Sequence, residues 1–182
     1  MRLLLHTCCA PCSVYCVNTL RAEGIEPTLF WYNPNIHPYS EYKARRDCLK
    51  EYVERIGVEL ILEDAYGLDE FVCTVGDDLM GRCANYCYPK RLRKVFAYAK
   101  ENGYDAVSTT LLYSIYQKHE IIVELMEKLA SEYGVKFLYR DFVKGGEKVR
   151  TKRGEWDYLC RNTADVSFPR RSLELGERLG VK

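Results

Sequence analysis

Apolar residues fall in short runs along the chain, and between the runs they recur at helical spacing. Leu3, Leu4 and Leu5 make the first run, which ends at His6 and predicts a strand. Pro11 stands where a helix would start, and Val14, Val17 and Leu20 follow at helical spacing up to Gly24. A second strand is predicted over residues 28–32 (TLFWY), stopped by Asn33-Pro34-Asn35. Residues 41–56 predict a helix closed by Gly57, and 58–62 a third strand. Then come a helix over 84–99, a strand over 106–110, an amphipathic helix over 116–133 and a strand over 135–139. This alternation predicts an α/β fold with a doubly wound, mainly parallel sheet of about five strands. It is read as a single domain over residues 1–182. Residues 144–153 (KGGEKVRTKR) break the rhythm and read as a basic loop, on the way to a final helix over 172–179.

Composition narrows the function classes. Of 182 residues, 47% are hydrophobic, enough for a full core and too many for a disordered or collagen-like chain. Lys and Arg number 27 against 26 Asp and Glu, so no global positive field draws nucleic acid, and any such contact rests on local patches. The opening MRLLLHTCC has no long apolar signal region, and no stretch approaches the roughly 18 apolar residues of a membrane helix. The expectation is a cytoplasmic protein with reduced thiols and no membrane partner.

Nine cysteines then change the picture. Cys8, Cys9, Cys12 and Cys16 cluster, Cys83 and Cys87 form a pair, and Cys48, Cys73 and Cys160 are scattered. In open α/β sheets ligands bind at the carboxyl ends of the strands, near the switch point. His6 to Cys12 lies there, between the first strand and first helix, where free N–H groups and the helix dipole stabilise thiolates. Cys83 and Cys87, four apart at a predicted helix start, share a face. Two such pairs can supply four thiolates, for zinc or for a 4Fe-4S cluster, and spacing leaves both open. Cys16 and Cys48, beside Val17 and Leu49, read as core, while Cys73 and Cys160 fall in irregular segments.

Two other readings compete. Cys9-Ala10-Pro11-Cys12 has the C-x-x-C layout of a thiol-disulfide oxidoreductase, but that leaves Cys8, Cys83 and Cys87 idle. The fold would also suit a nucleotide, yet the chain has neither G-x-G-x-x-G nor a Walker-type GK[ST].

Five blocks together resemble the QueH-type epoxyqueuosine reductases: HTCCAPC (6–12), FWYNPNIHPYSEYKARR (30–46), GRCANYCYPKRL (81–92), STTLLYSIYQ (108–117) and YRDFVKGG (139–146). The resemblance implies a HUP- or PP-loop-like (Rossmann-like) sheet with cysteines in place of the pyrophosphate loop. It implies an oxidoreductase that reduces epoxyqueuosine to queuosine at the wobble position of tRNA. It further implies a 4Fe-4S cluster, an adjacent mononuclear iron and an electron donor, which the sequence leaves unidentified. Two departures stand out. The family's second motif is usually C-x-x-C, whereas Cys83 lies one residue further back from Cys87. The family's C-terminal cysteine pair has no counterpart here, and residues 147–169, with Cys160, read as an insertion.

On this reading Cys8, Cys9, Cys83 and Cys87 hold the cluster, and Cys12 ligates or shapes the second iron. Asp64, after the third strand, is the candidate hard oxygen ligand. Asn33, Asn35 and His37 are candidates for the ribose or cyclopentane diol. Tyr113, Tyr116 and Gln117 are candidates for stacking and pairing with an anticodon base. Arg91, with Lys90, Arg93 and Lys94, forms one basic segment for phosphates; Arg140, Lys144, Lys148, Arg150, Lys152 and Arg153 form another. A non-catalytic, zinc-stabilised RNA-binding module remains the third class.

Overall fold

A computed structural model of the chain describes residues 1–143. The expected loop over 144–153, Cys160 and the final helix lie outside the described residues. Five parallel strands form one sheet in the order β3-β2-β1-β4-β5: β1 (Leu3–Thr7), β2 (Pro27–Trp31), β3 (Leu60–Leu62), β4 (Ala106–Thr109) and β5 (Lys136–Phe137). The helices are α1 (Ala10–Ala22), α2 (Tyr39–Ile56), α3 (Leu68–Val75), α4 (Tyr88–Glu101) and α5 (His119–Tyr133). This is the α/β doubly wound fold the alternation predicts.

The central strand shows why the sequence folds this way. Leu3, Leu4 and Leu5 are all buried, a continuous apolar run rather than an alternating one, because a central parallel strand is covered on both faces. α1 packs with α2 and α4 with α5, and right-handed crossovers put the two pairs on opposite faces. Buried Leu92, Val95, Phe96 and Ala99 form the inward stripe of α4. The edge strands are shorter than predicted, three and two residues, since only the central strands gain pairing on both sides. No helix among the described residues is long and apolar enough to cross a membrane.

Two local differences bear on the site. Residues 114–117 form a turn, with Gln117 N–H donating to Ser114 C=O at 3.1 Å, so α5 begins at His119 rather than near 116. The segment holding Cys73 is helical, not irregular: α3 runs between Gly67 and Gly76 and exposes that thiol. A Cβ on Gly67 would stand 2.8 Å from the Pro34 Cβ, so α3 starts hard against the β2–α2 loop.

The sheet order reverses at β1, with β2 on one side and β4 on the other. The switch-point crevice therefore opens between the carboxyl ends of β1 and β4, where Thr7 leads into Cys8 and Thr109 into Thr110.

Candidate functional site

The chain leaves β1 extended at Cys9 and turns into α1 with Pro11 in its first turn. No side chain caps this helix, so its positive end faces the thiols. Ser13 bridges the turn, its hydroxyl donating to Cys9 C=O at 2.8 Å and meeting the Thr7 hydroxyl. From the turn that follows β4, Thr110 accepts from Cys8 N–H at 3.2 Å and directs its own hydroxyl to the Cys8 sulfur at 3.6 Å. Cys8 is thus tied to both strands of the crevice.

The Cys8, Cys9 and Cys12 sulfurs all lie within 4.8 Å of one another, and Cys8 and Cys9 are 3.8 Å apart. A tetrahedral ion with metal–sulfur bonds of about 2.3 Å would space its sulfurs about 3.8 Å apart. Hydrogen bonds from Cys12 and then Cys9 hold the Cys8 thiol well below its ordinary value, against the cost of burial. The same bonds, with Cys8 and Cys9 as partners, push Cys12 up. Cys12 draws Cys9 down, but Cys8 and burial outweigh it and leave Cys9 at about 12. Of the three, Cys8 is thus the thiol whose ionised form is favoured. Ionising all three thiols at this spacing calls for a cation among them, so the donor set fits a metal centre.

Cys83 and Cys87 form a second pair. They bound a π turn, Cys83–Cys87, directly before α4. The extra residue relative to C-x-x-C is taken up in this wider turn, a device common at functional sites. A hydrogen bond with Cys87 lowers Cys83 to about 6 despite burial, helped by Arg82, Lys118 and Arg91, and Cys87 is raised in return.

Buried Arg91 joins the two groups. Its Nε donates to Cys87 C=O at 2.9 Å and its Nη1 reaches Asn33 Oδ1 at 3.4 Å. Asn33 Nδ2 in turn donates to Thr7 C=O at 2.9 Å, next to Cys8. Arg91 and Asn33 are thus framework beneath the site rather than groups presented to a ligand.

The other candidates are distributed unevenly. Asp64 is exposed and stands outside the Cys8, Cys9 and Cys12 group; its oxygens accept from Tyr42 at 2.8 Å and Arg46 at 2.7 Å. His37 is packed between Tyr66 and Phe71, and both its nitrogens and the Asn35 Oδ1 are buried without a hydrogen-bond partner. Tyr113 is buried, 5.8 Å from the Tyr15 ring, and so belongs to the core; Tyr116 is 79% exposed. Gln117 Oε1 accepts from the Tyr88 hydroxyl at 2.8 Å. The basic segment on α4 is not an open cationic face: Lys90 pairs with Glu70, Arg93 with Glu132 and Lys94 with Glu63. Arg140 pairs with Glu23. Cys16 is buried in the core and Cys48 half-buried against it.

Sequence reasoning passed over three residues at the centre. His6 is fully buried, with Nδ1 2.9 Å from Thr109 Oγ1 and Nε2 unpartnered. Burial, then Arg91, lowers it to about 3, so it is a neutral imidazole. Thr110 binds Cys8, and Arg45, paired with Glu41 from α2, places positive charge near Cys8 and Cys9. All three lie inside the quoted blocks, but only cross-element contacts reveal their roles.

Comparison with known proteins gives one consistent result. A family model described as Epoxyqueuosine reductase QueH matches residues 3–158, extending into the stretch that reads as an insertion. A Dehalococcoides mccartyi protein named Epoxyqueuosine reductase QueH is 39% identical over 143 residues, covering 79% of this chain and 78% of its own length. Proteins of the same name from Acinetobacter baylyi and Histophilus somni are 33% and 32% identical over 72% and 82% of this chain. The matches span 62% and 63% of those two relatives, a little under two thirds of their length.

Proposed function

The chain belongs to the epoxyqueuosine reductase QueH family, a family of oxidoreductases, and on that footing we propose that it reduces epoxyqueuosine to queuosine in tRNA. The observation that carries the proposal is the gathering of Cys8, Cys9 and Cys12 at the β1/β4 crevice, with Arg91 and Asn33 linking them to the Cys83–Cys87 turn.

Converting an epoxide to an alkene takes two electrons and two protons and releases water. Side chains do not supply the electrons; a 4Fe-4S cluster would deliver them singly, and an adjacent iron would act as Lewis acid toward the epoxide oxygen. In the proposal Cys8, Cys9, Cys83 and Cys87 hold the cluster, and Cys12 holds or shapes the iron site. The chain's own groups do the rest. Thr110 and the end of α1 fix the Cys8 sulfur and its charge. Arg45 offsets the negative charge of several thiolates. Neutral His6 holds the β1/β4 seam together without adding charge. A dithiol reading with Cys9 and Cys12 alone ignores Cys8, whose sulfur is the shared partner of both.

The test uses anaerobically reconstituted, chemically reduced protein and tRNA carrying epoxyqueuosine. Nucleoside mass spectrometry is expected to show loss of one oxygen atom from the modified base. Persistence of the epoxide with fully loaded protein would overturn the proposal.

A further inference from the structure

Buried side-chain polar atoms on two segments have no hydrogen-bond partner among the described residues. On the β2–α2 loop they are both ring nitrogens of His37 and the Asn35 Oδ1; in the Cys83–Cys87 turn it is the Tyr86 hydroxyl. One ring joins the two segments. Phe71 of α3 lies 4.7 Å from the His37 ring and 5.7 Å from the Tyr86 ring, centroid to centroid. It also packs on the small buried cluster of Val75, Tyr86 and Cys87. A single phenyl ring therefore fills a space bordered by an imidazole, a phenol and a residue of the thiol turn.

Folded proteins satisfy nearly all their buried polar groups, so a gathering of unsatisfied ones around one ring needs a reason. Each gives up the hydrogen bonds it makes to water in the unfolded chain, which works against the position α3 holds here. Little else holds it there. α3 has eight residues between Gly67 and Gly76, and of these only Val75 is buried. Leu68 is 41% exposed and Val72 59%. A segment with so few buried apolar contacts opens at low cost.

Resting on the reductase reading, we propose that α3 is a cover and that the space filled by its Phe71 ring is the seat of the substrate's vicinal diol. The diol and the epoxide belong to one five-membered ring, so a diol seat must adjoin the redox centre. This one does, through Tyr86 and Cys87. A cyclopentane ring is close in girth to the phenyl ring it displaces, and it carries the hydroxyls that the phenyl lacks. Burial lowers the His37 pKa and keeps its imidazole neutral. A neutral imidazole offers one donor and one acceptor, and a phenol hydroxyl offers both. Hydroxyls answer all of these. A phosphodiester offers acceptors only and would leave the imidazole lone pair unmet, so the seat suits a diol rather than the RNA backbone.

The experiment measures equilibrium binding of two anticodon stem-loop RNAs to the metal-loaded protein. One carries queuosine at the wobble position and the other 7-aminomethyl-7-deazaguanine. They share phosphates, base and amine and differ only in the cyclopentenediol. Queuosine has no epoxide, so no turnover disturbs the measurement. Wild-type protein is expected to favour the queuosine loop by roughly 2- to 12-fold for each hydrogen bond made, the range for a neutral pair. His37→Phe keeps a ring and removes both nitrogens, so it should lower the affinity ratio by about that factor. Tyr86→Phe removes one oxygen from the other segment and should lower it likewise; it provides the test if the His37 variant fails to fold. Phe71→Ala empties the seat in advance and should raise the ratio above wild type. A ratio that Phe71→Ala leaves unmoved or lowers would overturn the cover. A wild-type ratio near one, or a ratio unchanged in the folded ring variants, would overturn the diol seat while leaving the reductase reading intact. Failure of both loops to bind would overturn the tRNA reading along with it.

Discussion

Replacing Cys8 with serine is expected to bring epoxide reduction to background and to lower bound iron and acid-labile sulfide together. The Cys8 sulfur lies within 4.8 Å of those of Cys9 and Cys12, receives the Thr110 hydroxyl, and belongs to a residue whose N–H is tied across the crevice. A serine hydroxyl is a hard donor that stays protonated, so it is a poor substitute at a thiolate centre. Cys9→Ser, Cys83→Ser and Cys87→Ser should act in the same direction. Cys73→Ser is the contrast: that thiol is exposed on α3, and its variant should keep both metal and turnover. Full iron content in the Cys83 variant would remove the π turn from the metal centre.

Arg91→Met is expected to cost roughly 2–3 kcal/mol of stability and to lower iron content with all nine cysteines retained. Methionine matches much of the buried volume but donates nothing. Cys87 C=O and Asn33 Oδ1 would each lose a charge-assisted donor inside the protein. The loss would reach Thr7, since Asn33 also holds the end of β1, and so it would loosen both thiol groups at once. Urea denaturation of the metal-free variant reads the stability term, and iron stoichiometry after reconstitution reads the second. Unchanged stability would contradict the framework role given to Arg91.

The strand-and-helix alternation was legible because it depends on local periodicity, and the apolar run Leu3, Leu4 and Leu5 marked the central strand directly. α3 was not legible: eight residues between Gly67 and Gly76 are too short for a clear helical repeat. The thiol groups were visible as clusters, and the fold gathers the Cys8, Cys9 and Cys12 sulfurs as their spacing in the strand-to-helix turn suggests. The link from that turn to Cys87 through Asn33 and Arg91 was not visible, because it joins residues far apart in the chain. Charge was the least legible feature. Lys90, Arg93 and Lys94 look like a phosphate-binding face until Glu70, Glu132 and Glu63 arrive from other elements. Such exposed pairs are worth about 0–1 kcal/mol, so they mask the patch more than they stabilise the fold. Tyr113 and Tyr116 likewise look alike in sequence, and only packing sends one into the core and the other to solvent.

The central claim is that the thiols at the β1/β4 crevice form an iron–sulfur redox centre. Iron, zinc and acid-labile sulfide analysis of protein purified without oxygen tests it most directly. The account predicts a brown protein in which iron and sulfide rise and fall together. A colourless protein containing zinc and no sulfide, or a metal-free protein with a reducible Cys9–Cys12 disulfide, would contradict it.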